Sequence, residues 1–177
     1  SQLAAGYTNI ARDLGVARSL MLREGVVEAD LLESPVAMNQ QYDANSGQPG
    51  IETRYELRQT LTVQSNNVQK ITEISKKIPS IASEGVLISV QSLEYYYSKL
   101  PDLRVSLLRD AVKDAEARAE QIAAGTGRTV GSVQAAANGV VQVMPVNSVD
   151  VSDYGSYDTS SIEKEVMVTL KASFYLK

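Results

Sequence analysis

The chain has 177 residues, 44% of them hydrophobic, with 17 basic against 21 acidic residues and a net charge of −4. That length is ample for a buried core, and the charge balance offers no basic field for nucleic acid. Cys, His and Trp are all absent, which removes thiol chemistry, disulfides, thiolate metal sites, the Ser–His triad and the commonest general base.

The first element reads as a helix from about Leu3 to Glu24, with Leu3, Tyr7, Ile10, Leu14, Ala17 and Met21 on one stripe and Gly25 as its C-cap. A strand is expected from Pro35 to Tyr42, followed by a loop through Asn45, Ser46, Gly47, Pro49 and Gly50. From Arg54 to Val63 strict alternation predicts a half-buried antiparallel strand, with Tyr55, Leu57, Leu61 and Val63 inward. Ser65 or Asn66 is placed to cap a second helix whose buried stripe is Val68, Ile71, Ile74 and Ile78, and which Pro79 ends or kinks.

Gly85 leads into a strand expected from Val86 to about Tyr97. Pro101 and Asp102 open the longest helix, running to about Ala124. Leu108, Ala111, Ala115 and Ile122 are expected inside and an Asp114–Arg118 pair outside. Two further strands are read at about Thr129–Val143 and Ile162–Leu176, the second alternating cleanly. The order α-β-β-α-β-α-β-β predicts an α+β fold, an antiparallel sheet backed by helices. One domain over 1–177 is expected, in two β-α-β-β-like halves, 1–78 and 79–177, the leading strand of the first being absent from this chain. The chain starts at Ser1 without an initiator Met, without a signal peptide and without an apolar run of about 20 residues. A preceding segment with targeting information, a cleaved signal or a retained anchor, is therefore expected.

Several constellations invite chemistry. Gly125-Thr126-Gly127-Arg128-Thr129-Val130-Gly131 suggests a dinucleotide fingerprint, but it follows a helix instead of preceding one. A phosphate there would meet the negative end of the helix dipole, so a C-cap and turn is the reading. In Asp150–Asp158, Tyr154 and the later Ser161 stand where a calcium loop needs oxygen ligands and a Glu. A polar loop between strands, the most mobile internal part of the domain, is expected over about Pro145–Ser160. Glu163 and Glu165 read as solvated surface. No catalytic, cofactor-binding or metal-ligating residue is assigned, and no cofactor is expected. Tyr95, Tyr96 and Tyr97 are the densest aromatic cluster and fit either sheet packing or an interface, with Tyr96 on one face and its neighbours on the other.

The segment LRVSLLRDAVKDAEARAEQIAAGTGRTVG, from Leu103 to Gly131, and YYYSKL before it resemble the SIMPL-domain family of bacterial envelopes. Its long helix reads A-x-x-x-A-x-x-x-A-E-x-x-A, matched here by Ala111, Ala115, Ala119, Glu120 and Ala123, with Gly127, Val130 and Gly131 following. The REGV helix end, the strand before QYD and the Y-x-L-x-Q-x-L-x-V stretch extend the likeness over nearly the whole chain. The family's opening strand has no counterpart ahead of the first helix. The resemblance implies a periplasmic or membrane-anchored protein that forms homo-oligomers or meets an envelope partner, touching the membrane only through a segment outside this chain. It supplies no catalytic residues. A non-enzymatic envelope protein is the favoured expectation; a hydrolase or a small-ligand module using the 144–160 region is the alternative.

Overall fold

The computed structural model describes residues 2–41, 54–83, 85–150 and 152–177. The fold is α+β, and the chain divides into two compact units, Ser1–Gln91 and Ser92–Lys177. The expected loop through Asn45–Gly50 lies outside the described residues. Among those described, no helix is long and apolar enough to cross a membrane.

In the first unit, α1 (Gln2–Arg23) ends as its sequence requires. Gly25 takes φ 78°, a left-handed conformation that is cheap only without a Cβ, and Val26 N–H closes on Met21 C=O at 2.9 Å. The buried stripe is Asp13, Ala17, Leu20 and Met21. Tyr7, expected on it, is exposed; Gly6 takes its place, where a Cβ would come within 3.0 Å of Leu57. A 3₁₀ turn (Glu28–Asp30) leads into β1 (Leu31–Glu33) and β2 (Ala37–Gln41), which pair antiparallel with β4 (Leu61–Val63) and β3 (Arg54–Arg58) respectively.

The single strand expected over Arg54–Val63 is therefore broken at Gln59–Thr60, and the cause lies across the ladder at Ser34-Pro35. Pro35 has no N–H to donate. Ser34 replaces the missing regularity: its N–H donates to Thr60 C=O, its Oγ accepts from Thr60 N–H, and its C=O accepts from the Gln59 amide, each at 2.9 Å.

Helix α2 (Val68–Ala82) is capped by Asn67, whose Oδ1 accepts from Lys70 N–H at 3.0 Å. The cap expected at Ser65 or Asn66 is thus one or two residues early; Ser65 instead accepts from Asn67 N–H and shapes the approach. Pro79 does not stop the helix, which runs on to bury Ile81 at 2% exposure against Ala17 and Leu20. Burying such a side chain is worth about 1.5–3 kcal/mol, comparable to the ~3 kcal/mol cost of an interior proline. Met21, Val26 and Ile74 form the adjoining core cluster.

The strand expected from Val86 to Tyr97 does not form. Val86 is nonetheless buried, and Leu87 N–H donates to the buried Asp13 carboxylate at 3.3 Å.

The second unit contains α3 (Leu100–Gly125), β5 (Val130–Pro145), β6 (Ser156–Tyr157) and β7 (Lys164–Leu176). The Gly-rich turn after α3 is a C-cap: Gly127 takes φ 68°, and Arg128 N–H closes on Ala123 C=O at 3.0 Å. The Asp114–Arg118 pair forms at 2.9 Å on the outside. Ile122, expected inside, is 72% exposed, while Ala123 beside it is 1% exposed. The covered ridge runs Leu103, Leu107, Ala111, Ala115, Ala119, Ala123, a strict spacing of four. Such a row drifts about 40° around the helix per step, so by the last turn it has left the stripe on which Ile122 lies.

The sheet order is β6-β5-β7, with β5 and β7 antiparallel and β6 parallel to β5. β5 uses sixteen residues against thirteen in β7. Register shifts fall between Val130 and Val133, Val133 and Ala135, and Asn138 and Val141, and in each the additional residue is on β5. Gly139 lies inside the last of them, where a Cβ would fall on Thr169 Oγ1.

Replacing Asn67 by Ala should lower the stability of the first unit by about 1 kcal/mol, while Asn66→Ala should stay within about 0.5 kcal/mol. Urea titration of both variants reads the difference, and equal losses would contradict the cap.

Candidate functional site

The residues with the densest polar and aromatic contacts sit where β5, β6 and β7 meet the segment before α3. Gln142, Val143 and Met144 at the end of β5 are all buried, Gln142 at 1% exposure. A buried amide must be hydrogen-bonded to be tolerated. Gln142 Oε1 accepts from Ser152 N–H at 3.1 Å and from Ser156 Oγ at 3.5 Å, which draws the polar loop onto the sheet.

Asp158 is the centre of the second half of that loop. Its two carboxylate oxygens accept from the N–H and hydroxyl groups of Ser160 and Ser161, an Asx-type turn built twice over. Its own N–H donates to Val143 C=O at 2.8 Å. Lys164, with only 6% of its side chain exposed, donates to Asp158 C=O at 2.6 Å, to Asp158 Oδ2 at 3.2 Å and to Ser161 C=O at 2.7 Å. Hydrogen bonds from Ser160, then Ser161, to the charged carboxylate hold Asp158 far below the usual carboxylate range. The stretch expected to be a plain polar loop thus carries a short parallel strand and this closed network.

Tyr95, Tyr96 and Tyr97 lie outside any strand or helix. The segment is anchored by Tyr95 N–H to Thr159 C=O at 2.8 Å and by Tyr97 N–H to Tyr157 Oη at 2.9 Å. Tyr95 turns partly inward; Tyr96 and Tyr97 are exposed, Tyr96 at 66%. The Tyr96 and Tyr157 rings stand 5.9 Å apart at 33°, and Lys164 Nζ lies 5.9 Å from the Tyr157 ring centre. Tyr96 Oη donates to Glu94 at 2.6 Å, and that bond, before the smaller effects of burial and charge, raises the phenol above its ordinary range.

Sequence reasoning found the three consecutive tyrosines but missed Tyr157, Asp158 and Lys164. The signal was present: Asp-x-Ser-Ser is an Asx-turn pattern, and Lys164 falls on the opposite strand face from the exposed Glu163 and Glu165. Among the described residues no three carboxylates gather at metal-binding distance. The Asp158 oxygens are occupied by serines and a lysine. A cleft of about 600 Å³ lies in the first unit between α1 and β3, lined by Asn9, Asp13, Arg54, Arg58 and Leu87 among others; a shallow depression of about 240 Å³ surrounds Gly139. The lining of that depression includes no residue of the 144–160 region.

The fold and this surface define an α+β protein whose polar groups are committed to holding a loop, with tyrosines left outside. The SIMPL family, described as a protein of unknown function (DUF541), matches residues 1–174, and the chain belongs to it. A search of curated proteins found no match.

The Asp158 network should make stability depend on pH in one direction. A carboxyl held below its unfolded value stabilises the fold above the ordinary carboxylate range, and that contribution fades as pH falls from about 5 towards and below 2. Asp158→Asn removes the charge, so its deficit relative to wild type should shrink steadily on acidification. Thermal melts across that range measure it; a deficit independent of pH would contradict the assignment.

Proposed function

We propose that this protein is a non-catalytic, extracytoplasmic envelope protein that works through self-association, the Tyr96–Tyr157 surface being part of the contact. The observation that carries the reading is Tyr96: an aromatic ring 66% exposed, backed by a second ring and held at its hydroxyl by Glu94. Ordered tyrosines give large contact area at little entropic cost and are enriched at interface centres. The backbone beneath is tied at Tyr95 and Tyr97, so the ring is presented on a fixed support. The absence of Cys supports export to an oxidising compartment. An envelope partner carrying its own aromatic or basic surface is the second outcome the same patch would serve.

Sedimentation of the chain over a wide concentration range tests this. Wild type should self-associate; Tyr96→Asp and Tyr97→Asp should weaken association by roughly tenfold or more, since each places a charge in a desolvated contact. Tyr96→Phe should retain it. A wild-type chain that remains monomeric at the highest concentration overturns the reading. Fractionation of cells expressing the tagged full-length protein addresses location, and recovery in the cytosol contradicts export.

A further inference from the structure

β7 is an edge strand. Among the described residues, no backbone group pairs with its outer side, and its thirteen residues contain neither Pro nor Gly. Proteins blunt such edges with bulges, prolines or inward charges because an open ladder is a template for another strand. Here every bulge of the hairpin lies on β5, and the one inward charge, Lys164, stands at the first residue of β7, so the rest of the β7 edge is left regular. The other edge, along β5, is distorted by those same bulges and partly covered by β6 at Gln142 and Val143.

We infer that β7 pairs antiparallel with β7 of a second copy about a two-fold axis at Val168. The inference rests on the self-association reading and specifies its geometry. Antiparallel strands place directly opposed side chains on the same face, so the register is fixed by which residues face each other. The outer face of β7 carries Glu165, Met167, Thr169, Lys171, Ser173 and Tyr175, and the face beneath α3 carries Val166, Val168, Leu170 and Ala172.

Centred on Val168, Glu165 of each copy opposes Lys171 of the other, Met167 opposes Thr169, and Val166 opposes Leu170. Two cross-strand ion pairs form, related by symmetry. Centring on Lys171 sets that lysine against itself. Centring on Leu170 opposes Glu165 to Tyr175 and Lys171 to Thr169, with no ion pair inside the strand. Charge therefore selects the Val168 register, a ladder of about nine residues from Lys164 to Ala172, or ~30 Å. Lys164, at the end of that ladder, reaches across β5 to within 5.9 Å of the Tyr157 ring centre, so the exposed tyrosines lie at the opposite edge of the sheet and form a separate surface.

Charge reversal tests the register on solvent-facing positions. Glu165→Lys and Lys171→Glu each set like charges opposite one another twice per dimer and should weaken association by roughly tenfold at low salt. The double variant Glu165→Lys/Lys171→Glu restores both pairs and should return to within about threefold of wild type, and the differences should collapse near 1 M salt. If wild type associates while the four proteins behave alike, or the double variant is no better than the singles, the register is wrong and self-association stands. If wild type is monomeric, both fail.

Discussion

The second unit depends on the mismatch in its central hairpin, sixteen residues of β5 laid against thirteen of β7. A ladder cannot absorb that difference without bulges, and all fall on β5, on either side of the regularly paired run Ala135-Ala136-Ala137-Asn138, with Gly139 inside the last of them. β7 alternates cleanly and can do so because it is spared. α3 needs such a surface: its ridge of residues four apart, ending in alanines, packs chiefly over β7, where a regular row of Val166, Val168, Leu170 and Ala172 receives it. The same regularity leaves the outer edge of β7 competent for pairing.

At the closed end of the hairpin, the two strands are separated by a long polar connection that Gln142 and Asp158 fold back onto the sheet. Among the described residues no buried side-chain nitrogen or oxygen is left without a hydrogen-bond partner. This has a chemical consequence. A carboxylate saturated by two serines and a lysine is held in its charged form and has little free capacity as a proton acceptor or ligand. What the loop offers to the outside is shape and aromatic surface: Tyr157 held by its neighbours, with the Tyr96 ring tilted beside it.

Much of the helical structure was legible because helix ends depend on nearby residues. Gly25 and Gly127 announce their left-handed caps, and the alanine series of α3 announces its ridge. The misreadings have longer-range causes. The break between β3 and β4 is imposed by Ser34-Pro35, about 25 residues earlier and across the ladder. The run from Val86 to Tyr97 has apolar residues suited to a strand, yet a strand exists only where a partner completes its ladder. Ile122 obeys the 3.6-residue period and is exposed because the packed ridge follows a spacing of four. Tyr157 and Lys164 are single residues whose meaning comes from the folded loop, whereas Tyr95, Tyr96 and Tyr97 stand out by adjacency alone.

Among the described residues β7 presents a regular, unpaired edge, and its occupation by a second copy is open to measurement. Amide hydrogen exchange over a concentration series addresses it directly. In dilute protein, alternate amides of β7, those pointing away from β5, should exchange quickly while the intervening ones are protected by the hairpin. As concentration rises, protection should appear at the outward amides between Lys164 and Ala172 and not at those nearer Leu176. Exchange along β7 that is unaffected by concentration, or uniform protection of every β7 amide in the most dilute sample, would contradict the account.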